Sequence, residues 1–233
     1  NAGRIKVVMT GTSADPPHYQ PHRTDKADRK LLEKRFKQSP DELKPNEVPL
    51  ELVIVDFTSR NEFYEGKYDK NNIVPPNCFA IGSIPAKLVP SPNSPDRQAD
   101  SCAECPMNAF GSAGDGKACK NTRVLAVLPP DASETDDIWT LNVSPTALKN
   151  FDGYVGSVAR QFGLPPVGVV TTVGLSEAVD YPQLQFTEPK PNENVAVHFA
   201  RQGEARELLT VEPDVSNYQA PTSRAPAKKA ARR

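Results

Sequence analysis

All four cysteines of the chain fall between Cys78 and Cys119, and three are compact: Cys102-Ala-Glu-Cys105, then thirteen residues, then Cys119. A Cys-x-x-Cys step puts two thiolates on one tight turn, the knuckle that a tetrahedral zinc ion requires. Pro106 and the glycines Gly111, Gly114 and Gly116 allow the chain to fold back and deliver Cys119, with Cys78 as the natural fourth ligand. Four thiolates close a site, so the expected metal is structural and leaves no open position for catalysis. The same donors could hold an iron–sulfur cluster, which stands as the alternative cofactor. A thioredoxin-like pair should open a helix after a strand, whereas Cys102 sits among Asp, Ser, Pro and Asn. No charged segment followed by an apolar core stands at the N-terminus, so the expected compartment is the reducing cytoplasm, where disulfides are disfavoured. His18 and His22, in a loop with Pro16, Pro17 and Pro21, read as surface residues.

A second group of residues suits nucleic acid. The segment Arg60-Asn-Glu-Phe63-Tyr64-Glu-Gly-Lys67-Tyr68-Asp-Lys70 interleaves three aromatic residues with three cations. Single strands are bound by aromatic faces that stack on bases and by basic grooves that follow phosphates. The competing reading makes Phe63 and Tyr68 lids on the core. The stretch Gly111-Ser-Ala-Gly-Asp-Gly116-Lys117-Ala118 nearly matches a phosphate-binding P-loop, but Ala118 stands where a hydroxyl would hold magnesium. What remains is a glycine-rich turn with Lys117, Lys120 and Arg123 beside it. No nucleophile–base pair has meaningful spacing, so a non-enzymatic binding role is expected.

These residues must be carried by short strands. Proline supplies 24 of 233 residues, about twice the ordinary share of ~5%. Each proline removes a helical donor and clashes one turn back, which excludes a long-helix bundle. Ile5–Met9, Leu50–Phe57, Cys78–Ile81, Val124–Leu128, Ile138–Val143, Val167–Val173 and Gln183–Phe186 are apolar, largely β-branched runs bounded by turn residues. Such a series predicts a mainly β chain with flanking helices, a β-rich α+β fold built as a small barrel with an inserted four-cysteine loop. One helix is clear: Ser144 as N-cap, Pro145 at the first position, a stripe of Leu148, Phe151, Val155, Val158, Ala159 and Phe162, and a stop at Gly163. Between Glu193 and Leu209 helix and strand compete, because Val195, Val197 and Phe199 alternate. No window holds ~18 consecutive apolar residues, so no membrane span is expected.

Charge is segregated. The 28 basic and 29 acidic residues leave −1, but Thr222–Arg233 carries five cations and no acid. The remaining body, residues 1–221, therefore holds −6. The tail has nothing to bury and reads as disordered and basic. Arg23–Lys37 adds seven basic residues against three acidic ones, with Ala27, Leu31, Leu32 and Phe36 at the spacing of an amphipathic helix. Asp131, Glu134, Asp136 and Asp137 gather in one acidic loop. The expected organisation is an extension over 1–47, a core over 48–210 with the metal loop at 78–123, and a basic tail over 211–233.

Three stretches carry a family resemblance. They are Cys102-Ala-Glu-Cys105-Pro-Met-Asn-Ala-Phe-Gly-Ser with Gly116-Lys-Ala-Cys119-Lys-Asn-Thr-Arg123, Val143-Ser-Pro-Thr-Ala-Leu-Lys149-Asn-Phe151-Asp-Gly-Tyr154-Val, and Val170-Thr-Thr-Val-Gly with Tyr181-Pro-Gln-Leu-Gln-Phe186. Together, over roughly residues 48–210, they resemble tailed-phage proteins of the replication region. That resemblance implies an oligonucleotide-binding (OB) barrel that coats single-stranded DNA during phage replication or recombination in an infected bacterial host. Its partners would be single-stranded DNA and other replication or recombination proteins of the phage. Related single-strand binders often end in an acidic, partner-recruiting tail, whereas this chain ends in a basic one. The alternatives are a zinc-stabilised protein-interaction module, or a virion or nucleoprotein component whose tail binds DNA.

Overall fold

The computed structural model describes residues 50–66, 74–176, 178, 179, 181 and 183–218 in full, and the backbone of two strands nearer the N-terminus. The latter are β1 (Arg4–Val8) and β2 (His18–Pro21); the rest are β3 (Leu50–Phe63), β4 (Cys78–Gly82), β5 (Cys119–Leu128), β6 (Trp139–Val143), β7 (Val169–Leu175) and β8 (Leu184–Pro191). Among the described residues, three α-helices accompany them: α1 (Leu148–Phe162), α2 (Val195–Ala200) and α3 (Gln202–Leu209). The basic stretch Arg23–Lys37 and the tail Thr222–Arg233 lie outside the described residues.

One sheet runs in the order β2-β1-β6-β5-β3-β7-β8, with β4 attached beside β3. Neighbours are antiparallel except β1 and β6, which are parallel. The β-rich α+β class is therefore as expected. Among the described residues, however, no pairing joins β8 to β6 or to β1 and β2, and the sheet stays open where the sequence suggested a small barrel.

The long strand β3 organises everything else. It pairs with β5 from Val53 to Phe63, while its other edge is shared by β7 at Leu50–Leu52 and β4 at Ser59–Phe63. The register slips between Ile54 and Asp56, so Val55 is an extra residue opposite β5. An inserted residue bends the strand and shifts the alternation of its side chains by one. Leu50, Leu52 and Ile54 face the main core before the bulge; after it, Phe57 takes that face opposite Leu125. Val55 packs on the other face with Val124, Ala126, Leu128, Ala205 and Leu209. Because β5 is buried on both faces, Val124–Leu128 is a continuous apolar run rather than an alternating one.

Helix α1 fills the inner face. Pro145–Ala147 forms a single 3₁₀ turn, and the α-helix proper begins at Leu148. Ser144 does not cap it; its hydroxyl lies 2.9 Å from that of Thr146. Gly163 ends the helix in the left-handed conformation (φ 65°), which favours glycine, with its N–H on the Ala159 carbonyl. Phe151, Tyr154 and Val158 are the buried positions, whereas Ala159 of the expected stripe is exposed. Phe151 meets Phe57 and Phe186 edge-on at 5.0 and 5.1 Å, and the Tyr154 hydroxyl lies 2.8 Å from that of Thr171.

The opposite face of β3 and β5 is covered by α3 through Ala205 and Leu209. The alternating Val195, Val197 and Phe199 turn out to lie on α2, where only His198 is buried. His198 Nε2 is 2.9 Å from the Pro129 carbonyl, and Nδ1 is 3.2 Å from the Asn192 amide nitrogen. That buried polar anchor, rather than an apolar stripe, holds α2 against the β5–β6 connection.

Candidate metal centre and nucleic-acid interface

Sheet register brings the first half of the cysteine set together. Phe63 pairs with Cys78 on β4 and with Cys119 on β5. Directly opposite residues in antiparallel strands share a face, so Cys78, Phe63 and Cys119 project to one side of the sheet. The bulge at Val55 places this face on the same side as the main core. Residues 102–105 fold over it. Cys102 N donates to the Leu88 carbonyl, and its carbonyl accepts from the Asn108 side-chain amide at 2.7 Å. Pro106–Asn108 forms a 3₁₀ turn directly after Cys105, so the knuckle is braced on its C-terminal side.

All four cysteines are free and buried, at 6–8% exposure. Together with Asn61, Phe63, Ala80, Gln98 and Asn108, they line one cavity of about 10 Å³, room for roughly one water-sized atom. Burial is the main reason the Cys119 thiol is pushed up to about 12, with Cys102, Cys105 and Cys78 adding to it and Lys117 opposing. Cys102 is also raised, again chiefly by burial, while a hydrogen bond from Asn61 favours its charged form. These couplings place the four sulfurs within electrostatic reach of one another. Among the described residues, even so, no three His, Cys, Asp or Glu side chains are arranged to hold a metal ion as they stand. The thiols converge on a cavity; they do not form a ready coordination shell. Four soft donors with an amide beside one of them suit zinc or iron in kind.

The cationic and aromatic residues singled out in the sequence divide between the two faces. Tyr64, Arg60 and Lys120 stand at the cysteine end of β3 and β5. Lys120 pairs across the strands with Glu62 and sits 5.4 Å from the centroid of the Tyr64 ring. The Tyr64 hydroxyl donates to Glu62 at 3.2 Å, and burial with the neighbouring carboxylate raises its pKa. Arg60 is engaged: Nη2 donates to the Val211 carbonyl at 2.9 Å and Nη1 is 3.8 Å from Glu62, while its buried Nε has no hydrogen-bond partner among the described residues. Lys117, exposed, bonds the side-chain oxygens of Asn108 and Asn121.

Phe63 lines the cysteine cavity. Arg123 is buried on the inner face, 3.3 Å from Asp152 of α1. Lys67 and Tyr68 lie outside the described residues. The segment 211–218, which the sequence placed with the tail, returns across this end of the molecule. Ser91 Oγ and Asn93 Nδ2 donate to the Glu212 carboxylate at 2.6 and 2.7 Å, and Asn77 Nδ2 donates to the Tyr218 hydroxyl at 3.0 Å. No local pattern marked this strap; its partners are more than 100 residues away in the chain.

No family model matches the chain, and no solved structure matches it significantly. A 55-residue stretch is 48% identical to part of the type I restriction enzyme HindI endonuclease subunit of Haemophilus influenzae. That stretch is 24% of this chain and only 4% of the subunit, so the chain spans a very small part of that relative's length. Among the described residues no helix is long and apolar enough to cross a membrane.

Proposed function

We propose that the chain is a non-enzymatic single-stranded DNA-binding protein of the OB type, whose first strand–strand connection has grown into a zinc-stabilised loop. One observation carries the reading. Strands β3, β5 and β6 form a meander, α1 follows, and β7 and β8 return to the free edge of β3, giving the order β6-β5-β3-β7-β8. That order is the one expected of a five-stranded, partly open Greek-key barrel, which binds oligonucleotides through its second and third strands and its first and last loops, and it supports the reading. In that correspondence the connection between the first two strands runs from Tyr64 to Ala118. It contains β4 and three of the four cysteines.

Within this reading, Tyr64 offers a base a stacking face and Lys117 and Lys120 meet phosphates. Lys67 and Tyr68 belong to the same connection in the sequence. Arg60 contributes where Val211 leaves it access. Arg123 serves the fold through Asp152. Cys78, Cys102, Cys105 and Cys119 would hold the metal, which when bound cross-links β4, β5 and the loop between them. The small cavity favours a single zinc ion over an iron–sulfur cluster, which needs far more room. A place in phage replication or recombination rests on the family resemblance.

Binding of fluorescent single-stranded and duplex oligonucleotides, each at two salt concentrations, tests the proposal. Preference for the single strand with affinity that falls steeply as salt rises is the expected result. Equal, salt-insensitive affinity for both forms would remove the reading.

A further inference from the structure

We infer that Phe110, at the tip of the cysteine loop, is a stacking platform for an unpaired base, flanked by Lys117 as its phosphate contact. The inference rests on the single-strand reading above and names a contact residue that reading does not contain.

Phe110 is 79% exposed, more than any other large apolar side chain among the described residues. Leaving such a ring in water forgoes the favourable burial of its apolar surface. A scattered surface phenylalanine needs no explanation, but this one stands on a braced support. Around it, Ala109 N donates to the Pro106 carbonyl, Ser112 N to the Ala109 carbonyl, and Gly111 N to the Gly116 carbonyl. The Ser112 hydroxyl is within hydrogen-bond distance of the Met107 and Ala109 carbonyls and accepts from Ala118 N. Gly111, next to the ring, has φ 90°, a conformation that side chains rarely adopt. The loop is thus organised by its own backbone and keeps Phe110 outside.

The surroundings select the occupant. The Gly111 N–H bond to the Gly116 carbonyl brings the residue after Phe110 against the residue before Lys117, whose ammonium is held by Asn108 and Asn121. Nothing lies within 4 Å of where a Cβ would stand on Gly114 or Gly116, so a sugar–phosphate backbone can approach this turn closely. An open aromatic face for a base and a held cation for its phosphate are the features that single-strand contacts combine.

The test compares wild type, Phe110→Ala and Phe110→Trp, each confirmed to keep its metal content and melting temperature, in titrations with a thymidine oligonucleotide. Phe110→Ala should bind about 5- to 150-fold more weakly, the range for losing one stacked base, with an unchanged salt slope. Phe110→Trp should retain affinity and show fluorescence quenching on binding, since the chain's other tryptophan, Trp139, is 1% exposed. Wild-type binding matched by Phe110→Ala, without quenching in Phe110→Trp, would overturn the role of Phe110 and leave the single-strand reading intact. No binding by wild type at low salt would overturn both. A change in oligomeric state in Phe110→Ala without altered DNA affinity would assign the ring to a protein contact and end the inference.

Discussion

Cys78 and Cys119 lie 41 positions apart in the sequence, yet each is the direct cross-strand partner of the same residue, Phe63. Two thiols thereby flank one aromatic ring on one face of the sheet, and the Cys102–Cys105 knuckle needs only to fold over them. Thiols fixed by strand register are pre-positioned by the whole sheet, not by a local loop. The cysteine site and the sheet should accordingly be coupled in stability.

Replacing Cys119 with serine is expected to abolish stoichiometric zinc binding and to lower the melting temperature by about 10 °C, because metal binding energy is folding energy. Cys78→Ser should behave alike. Elemental analysis alongside calorimetry checks this. One equivalent of metal retained in either variant, or no metal in freshly purified wild type, would defeat the four-cysteine centre.

Arg123 and Lys120 are three residues apart on β5 but should respond differently. Arg123→Ala removes a buried guanidinium whose partner, Asp152, is half exposed and can rehydrate, so its cost is about 1–2 kcal/mol of stability. Oligonucleotide affinity should change less than twofold. Lys120→Ala should leave stability within about 0.5 kcal/mol while lowering single-strand affinity and reducing the salt slope by about 0.7. Denaturant melts and binding isotherms on both variants separate the roles; an exchange of phenotypes would reverse the assignment of faces.

Deleting Val55 should be far worse than truncating it. Val55→Ala removes two methyl groups from the cluster under α3, a cost of about 1–2.5 kcal/mol. Deletion removes the bulge, so that β3 residues beyond it face the wrong side of the sheet relative to β4 and β5. Loss of both cooperative unfolding and metal binding is expected from the deletion alone, as read by thermal melts and zinc analysis. A deletion variant that folds and keeps its zinc would show that the bulge does not set the face of Phe63.

The strap at 211–218 should open in acid. Hydrogen bonds from Ser91 and Asn93 hold the Glu212 carboxyl below its ordinary value as a free glutamate. A depressed folded pKa means the contact contributes fully above that ordinary value and is lost as pH falls through the folded value. The Asn93 side-chain amide signal in NMR spectra should therefore move toward its free position on acidification, and Glu212→Gln should start closer to that position at neutral pH. A pH-independent Asn93 signal would remove Glu212 as the latch.

Much of the site was legible before any fold was known. Cys102-Ala-Glu-Cys105 announces a knuckle because two thiols three apart can share one turn. The helix over Leu148–Phe162 follows from its apolar spacing and Gly163, although Tyr154 takes the inward place that Ala159 was given. The apolar runs predict β3 and β5 too short, since beyond Phe57 and before Val124 polar residues such as Arg60, Asn61 and Thr122 continue the pairing. Their ladder is held by backbone hydrogen bonds, which leave no hydropathy signal. Likewise, β2 (His18–Pro21) lies among prolines that read as a loop.

The sequence by itself determined the grouping of the four thiols, the β-rich class and the segregation of charge, because each depends on residue type and short-range spacing. The tertiary structure decided which face each side chain occupies. One inserted residue, Val55, sets the parity of β3 and so places Phe63 with the cysteines. Pairing then separates Arg123, turned inward to Asp152, from Lys120, left exposed beside Tyr64. Strand register and the return of 211–218 join residues remote in the chain, and no local pattern encodes such a meeting.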